Sequence, residues 1–111
     1  MSDQSQDGFG VRTTSHDGFI QVEVHGELDA SNVDQFQAAL IDAVGPAFVG
    51  GVEIDLGGVL FMDSSGLRAL IVAERAVTEA GATMRVTAAS EPVRRLFEMT
   101  SLTEHFGLPS A

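Results

Sequence analysis

The chain has 111 residues, of which 44% are hydrophobic, and it carries sixteen acidic against six basic residues and no cysteine. This length and composition predict one soluble globular domain, and the missing cysteine excludes disulfides, thiolate nucleophiles and cysteine zinc sites. All the basic residues are arginine, which excludes lysine chemistry, and the net charge of −10 disfavours binding to nucleic acid or to an anionic membrane. The polar N-terminus and the lack of a long apolar run predict a cytoplasmic protein.

The first half of the chain predicts a flexible tail, a hairpin and a helix. Residues 1–8 are polar and show no periodicity, which is typical of a flexible N-terminal tail. Apolar alternation predicts strands over residues 9–14 and 19–25, and the Ser-His-Asp-Gly sequence between them is typical of a hairpin turn. Apolar residues at helical spacing then predict a helix over about residues 31–44, which opens on a Ser-x-x-Asp start signal.

The second half of the chain alternates strands and helices. The predicted elements are a strand over residues 52–56, a buried apolar stretch at 59–62, a helix from 63–66 to about residue 80, a strand over 83–87, a helix starting at 90–92 and a last short element over 102–108. Because two strands come first and helices then alternate with strands, the order predicts an α/β fold. We expect a mixed sheet of about four to five strands covered by about four helices.

The segment Asp63-Ser64-Ser65-Gly66 stands where the second predicted helix begins. The first amides of a helix have no partner within the helix, and the helix dipole places partial positive charge there. A serine at this point suits an N-cap, and it also suits an added phosphate group. The simpler interpretation is a cap alone, in which Asp63 or Ser64 accepts a hydrogen bond from a following amide.

Three further residues near the predicted helix starts each allow two interpretations. Asp29 precedes the first helix, so we expect it at the same end of the sheet as Ser64, either as a capping carboxylate or as a contact to a partner. Gly66 is compatible with the close approach of a partner backbone or with a helix turn. Arg68, one turn into the second helix, fits a partner contact or a solvated face.

Four segments of the chain resemble one known family. Residues 60–67, Leu-Phe-Met-Asp-Ser-Ser-Gly-Leu, are similar to the signature of STAS domains of the anti-sigma factor antagonist type. The loop at 26–29, the strand at 52–56 and the sequence Val-Arg-Arg-Leu-Phe-Glu-Met-Thr at 93–100 match further segments of that family in the same order. The resemblance implies the STAS fold, with a single STAS domain over residues 9–111.

The resemblance also implies a regulatory protein that is not an enzyme and needs no cofactor. Unphosphorylated family members bind an anti-sigma factor that is also a serine kinase, and this frees a sigma factor for transcription in stress responses. The kinase phosphorylates the first serine of the motif, here Ser64, which switches the binding off, and a PP2C-type phosphatase restores it. Such antagonists are monomers when free. The residues implied to contact the partner are Asp29, Asp63, Ser65, Gly66, Leu67 and Arg68.

Other functions fit only parts of the pattern. Some STAS domains act as non-phosphorylated scaffolds or adaptors in stress-signalling or transport assemblies, and the presence of Ser64 favours the antagonist instead. A serine hydrolase using Ser64 would need a base such as His25 and an oxyanion hole, and the sequence has no Gly-x-Ser-x-Gly elbow. A phospho-aspartate receiver would need a lysine. We expect no metal site, because no His-x-x-x-His or other clustered ligand spacing occurs.

Overall fold

A computed structural model describes residues 2–6, 8–45 and 50–109 and contains one five-stranded mixed sheet. The elements in chain order are β1 (Ser2–Gln6), β2 (Phe9–His16), β3 (Phe19–Leu28), α1 (Val33–Val44), β4 (Gly51–Met62), α2 (Ser64–Glu79), β5 (Thr83–Ala89) and α3 (Glu91–Thr100). The strands lie in the order β1-β2-β3-β4-β5; the first two pairings are antiparallel and the last two parallel. The predicted α/β fold with a mixed sheet is confirmed.

The N-terminal end of the chain differs from its prediction, and the C-terminal end agrees with it. Ser2–Gln6 form a strand on the free edge of β2 instead of a loose tail, because strand pairing uses backbone groups and needs no apolar pattern. The short element predicted over residues 102–108 is a compact turn that buries Phe106 and Leu108 in the core. The Phe106 carbonyl in this turn accepts a hydrogen bond of 2.8 Å from the Val86 amide, so the turn covers the outer edge of β5. Residues 1, 7, 46–49, 110 and 111 lie outside the described residues.

The antiparallel hairpin forms as predicted. β2 and β3 pair from Gly10 opposite His25 to His16 opposite Phe19, which leaves only Asp17 and Gly18 in the turn. Both turn residues have positive φ, 51° and 80°, as a type I′ turn requires. The hairpin sets the register of β3. This strand pairs antiparallel with β2 on one side and parallel with β4 on the other.

The core lies on one face of the sheet. Side chains of β3 alternate strictly between buried and exposed, with Val22, Val24 and Leu28 fully inside. α1 and α2 cover this face, and they bury Phe36 and Leu70 against it. Among the described residues, every buried side chain is apolar. The opposite face carries the polar side chains of β3 and is open to solvent, which is a common arrangement for antiparallel and mixed sheets.

β4 is one long strand with two irregularities in its pairing with β3. The first lies between the pairs Glu23–Asp55 and His25–Gly58, and the second lies between Gly26–Val59 and Glu27–Phe61. At each point β4 contains one more residue than β3, which is the definition of a β-bulge, and each bulge changes the side of the sheet to which later residues point.

The bulges explain which side chains of β4 reach the core. Buried positions follow every second residue up to Leu56 and then fall at Val59 and Met62. Leu60 and Phe61 are 73% and 47% exposed. The expectation that the whole stretch 59–62 is buried is therefore wrong for these two residues, because the stretch continues a strand whose bulges turn them away from the core.

Candidate functional site

The candidate site lies where two parallel strands end side by side. The last paired residues of β3 and β4 are Leu28 and Met62, and the chain continues directly into Asp29 and Asp63. The expectation that Asp29 and Ser64 lie at the same end of the sheet is thus confirmed. Ligands of open α/β sheets bind at such carboxyl ends of strands, where the loops converge.

The start of α2 is capped by Asp63. This residue has extended backbone angles, and its Oδ1 accepts a hydrogen bond of 3.1 Å from the Gly66 amide. Its carbonyl accepts the first helical bond, of 3.0 Å, from the Leu67 amide. Ser64 is the first residue of the helix and its side chain is exposed, whereas Ser65 is half-buried. The capping role falls to Asp63, so the Ser64 hydroxyl remains at the surface beside amides that the helix itself leaves unpaired.

Gly66 allows α2 to begin against the end of β3. A Cβ atom at this position would lie 2.5 Å from the Leu28 carbonyl oxygen and 2.9 Å from Met62 Cγ. The close approach is therefore internal, and no partner backbone is needed to explain the glycine. The next residue, Leu67, is only 9% exposed and belongs to the core. Of the predicted partner contacts, Gly66 and Leu67 are thus buried residues that position the helix.

The charged form of the Asp29 carboxyl is stabilised by Ser31, two residues further along the same loop. Its Oδ1 accepts hydrogen bonds from the Ser31 hydroxyl at 2.6 Å and from the Ser31 amide at 3.0 Å. These two bonds lower the pKa of the Asp29 carboxyl below its usual value, and the bond from the hydroxyl has the larger effect. The Asp29 amide donates to Asn32 Oδ1 at 3.0 Å, and Asn32 Nδ2 donates to the Glu27 carbonyl. Asn32 therefore ties the end of β3 to the loop.

The first helix begins later than predicted. α1 starts at Val33 with Asn32 in the N-cap position, and no side-chain capping bond forms there. The predicted signal from Ser31 fails because its hydroxyl donates to Asp29 instead of accepting from a helix amide. Asp29 contributes its carbonyl, which accepts hydrogen bonds from the amides of Asn32 and Val33 at 3.1 Å each. Its carboxylate thus orders the loop and remains half-buried at the edge of the site.

A groove of about 390 Å³ lies beside these loops. Glu27, Asp29 and Asn32 form its polar side, and Leu60 contributes an exposed apolar side chain. Sequence reasoning missed Asn32 and Leu60 as members of the site. The signal that could have found Leu60 is the Gly57-Gly58 pair, because glycine within a strand often marks a bulge.

The other sequence candidates lie elsewhere or face solvent. Arg68 is exposed on α2 as expected. His25 is an exposed residue of β3, where it lines a separate pocket of about 240 Å³ with Arg12, Glu23 and Asp55. The two residues considered for a serine hydrolase are therefore apart: Ser64 lies at the start of α2, and His25 lines the other pocket. Over residues 2–6, 8–45 and 50–109 no group of acidic or histidine side chains could hold a metal ion.

Comparison with known proteins identifies the family. The family model described as the STAS domain matches residues 11–110. The chain belongs to the STAS family. The predicted membership of the STAS family is thereby confirmed. No helix in the described part of this STAS protein is long and apolar enough to cross a membrane.

Relatives of this STAS protein include anti-sigma factor antagonists. The anti-sigma-B factor antagonist of Staphylococcus epidermidis is 30% identical over 94 residues, which cover 85% of this chain and 86% of the relative. The crystal structure of an anti-sigma factor antagonist from Mycobacterium paratuberculosis has a TM-score of 0.80 at 26% identity and covers 96% of this chain and 90% of that one. The unphosphorylated form of the antagonist SpoIIAA shares the fold, with a TM-score of 0.74 at 21% identity over 90% of this chain and 88% of that one. The phosphorylated form of SpoIIAA, from Bacillus, shares it as well, with a TM-score of 0.69 at 20% identity over 90% of this chain and 91% of that one.

Proposed function

We propose that the chain is an anti-sigma factor antagonist controlled by phosphorylation of Ser64. In the unphosphorylated form it binds an anti-sigma serine kinase and so frees a sigma factor. The kinase then ends the interaction by phosphorylating Ser64, and a PP2C-type phosphatase reverses the modification. The observation that carries this proposal is the position of Ser64, an exposed hydroxyl at the first residue of α2, capped by its neighbour and not by itself.

Phosphorylation requires that the Ser64 oxygen be free to attack. The bond from Ser64 Oγ to the γ-phosphorus of ATP forms while the bond to ADP breaks, and the hydroxyl proton is released. The phosphatase reaction returns serine and inorganic phosphate through attack by water. Within the described residues, no hydrogen bond of the Ser64 hydroxyl competes with this transfer, and Asp63 already caps the helix without it.

The surroundings of Ser64 would make the phosphate tolerable in the free chain and unfavourable in a complex. A phosphoserine adds a charge of about −1.5 to −2 at pH 7. In the free chain it would meet the helix amides and solvent. In a packed interface it would add charge beside the adjacent Asp63, at the end of the sheet that also carries Asp29, and it would lose its hydration. A modification that destabilises the bound state more than the free state releases the partner.

The remaining predicted contacts supply the surface for the kinase. Asp29, Asp63, Ser65 and Arg68 are all exposed or half-buried at the same edge of the sheet. The names of the relatives support the assignment, since those proteins are anti-sigma factor antagonists and SpoIIAA exists in unphosphorylated and phosphorylated forms.

The proposal is tested by intact-mass measurement and peptide mapping of the protein from its native host, with and without phosphatase treatment. We expect one phosphoryl group, located on Ser64 and removed by the phosphatase. Ser65→Ala should retain the modification and Ser64→Ala should lose it. A protein without phosphate under several stress and growth conditions would contradict the switch and favour a non-phosphorylated scaffold.

A further inference from the structure

Leu60 is an exposed apolar side chain that the fold places beside the proposed phosphorylation site. It is 73% exposed, although leucine in a central strand is normally buried. Ile41 of α1 is comparably exposed at 68%, but it lies near the far end of its helix. Leu60 instead precedes Ser64 by one short stretch of strand and lines the groove that contains Asp29.

The two bulges of β4 together explain the position of Leu60: the first moves the buried position from Leu56 to Val59, so that the next residue faces away from the core, and the second leaves that residue unpaired. Gly26 pairs with Val59 and Glu27 with Phe61, so Leu60 is the extra residue without an opposite partner on β3. β5 does not reach it either, because the last pair between β4 and β5 joins Leu56 to Ala89. Bulges are frequent beside functional sites, where they change the direction of a side chain.

The polar part of the groove around Leu60 is acidic. Glu27 is exposed, and Asp29 is kept anionic by its bonds to Ser31. None of the described residues that line the groove is an arginine or a histidine. A partner that is complementary to this groove has an apolar recess for Leu60 and basic side chains around the recess for Glu27 and Asp29.

Leu60 lies close enough to Ser64 to be covered by a protein that phosphorylates this serine. Along a strand, residues advance by about 3.3 Å each, so the two positions are separated by at most about 13 Å. An interface of standard size covers about 800 Å² on each partner, which corresponds to a radius of about 16 Å. Leu60 therefore lies within the footprint of an interface centred on Ser64.

We infer that Leu60 is the apolar anchor by which the anti-sigma kinase selects this chain. It enters an apolar recess of the kinase, and basic side chains around that recess meet Glu27 and Asp29. The inference rests on the proposed function and adds to it a residue that determines specificity without taking part in the transfer. Leu60 contributes binding, so its loss should act on KM and leave kcat unchanged.

The test measures the initial rate of Ser64 phosphorylation against the concentration of the purified full-length chain, in an extract of the native host supplied with ATP. Leu60→Ser should raise KM about tenfold with the same limiting rate, because it removes most of a buried leucine contact. Leu60→Met should keep a KM close to that of the wild type, since it preserves the apolar contact.

Ile41→Ser is the matched control, because it also replaces an exposed branched residue by serine, and it should leave KM unchanged. Equal urea midpoints for the variants and the wild type verify that the fold is retained. A wild-type KM for Leu60→Ser, with the wild type phosphorylated on Ser64, overturns the inference and leaves the proposed function in place. A wild type that receives no phosphate overturns both.

Discussion

The two strand-to-helix junctions of the site are built differently. β4 passes into α2 through Asp63 alone, whose side chain caps the helix and leaves the Ser64 hydroxyl exposed. β3 passes into α1 through a longer loop, in which the Ser31 hydroxyl is bound to Asp29 at 2.6 Å. Both junctions contain a serine near a carboxylate, but only at Ser64 is the hydroxyl free for transfer. Under the proposed function, this difference in capping explains why the kinase modifies Ser64 and not Ser31.

The largest effect is expected from a substitution that pushes the start of α2 away from the end of β3. Gly66→Ala would place a methyl group 2.5 Å from the Leu28 carbonyl oxygen, where the backbone cannot yield easily. We expect a loss of about 3 kcal/mol in the free energy of unfolding, measured by urea denaturation. Gly57→Ala is the control, because its Cβ would meet side-chain atoms and no backbone, Asp55 Oδ1 at 3.0 Å and Ala88 Cβ at 4.0 Å. Equal losses for the two variants would contradict the internal role of Gly66.

The role of the exposed Ser64 hydroxyl is tested by placing a negative charge at this position. Ser64→Asp should weaken binding to the kinase captured with Ser64→Ala by at least about tenfold, or about 1.4 kcal/mol, because it adds a carboxylate next to Asp63 at the end of the sheet that also carries Asp29. Ser64→Ala should bind as tightly as the unphosphorylated wild type. The measurement is isothermal titration calorimetry. Tight binding by the aspartate variant would show that negative charge at this position is not the switch.

Removal of the α2 cap should have a smaller effect. Asp63→Ala leaves the Gly66 amide without its acceptor and should cost about 1 kcal/mol of unfolding free energy. Asp63→Asn, which keeps an acceptor oxygen, should recover most of the loss. If Asp63→Ala has the same midpoint of thermal unfolding as the wild type, water replaces the Asp63 carboxylate as the acceptor for the Gly66 amide.

The smallest expected effect is a pH dependence at the β3–α1 junction. Because the pKa of Asp29 is lowered in the folded chain, its contribution to stability is present above the unfolded value near 3.8 and is lost as pH falls through the folded value. Asp29→Asn should therefore reduce the fall in the urea midpoint below about pH 4. An unchanged fall in Asp29→Asn would contradict the role of the two Ser31 hydrogen bonds.

Several features of the fold could be predicted because they depend on neighbours in the sequence. The hairpin at Asp17 and Gly18 follows from two residues that tolerate positive φ, and the α2 cap follows from Asp63 before a helical pattern. The position of Ser64 at the helix start follows in the same way. Such signals act over one turn of chain, so they need no knowledge of the remaining structure.

The features that the prediction missed have one local and one distant cause. The late start of α1 arises because Ser31 donates to Asp29, a choice between two local bonds that composition does not reveal. The reason for Gly66 is the carbonyl of Leu28, which is distant in sequence.

The alternation of strands and helices, the hairpin, the place of Ser64 at a capped helix start and its common end of the sheet with Asp29 all follow from the order of residues along the chain. The exposure of Leu60 and the contact of the Leu28 carbonyl with Gly66 depend on how the strands pair in three dimensions. The physical reason is the register of parallel strands, which is set by pairing β4 against β3 and is not encoded in either strand alone. One extra residue in that register moves a leucine from the core to the edge of the site.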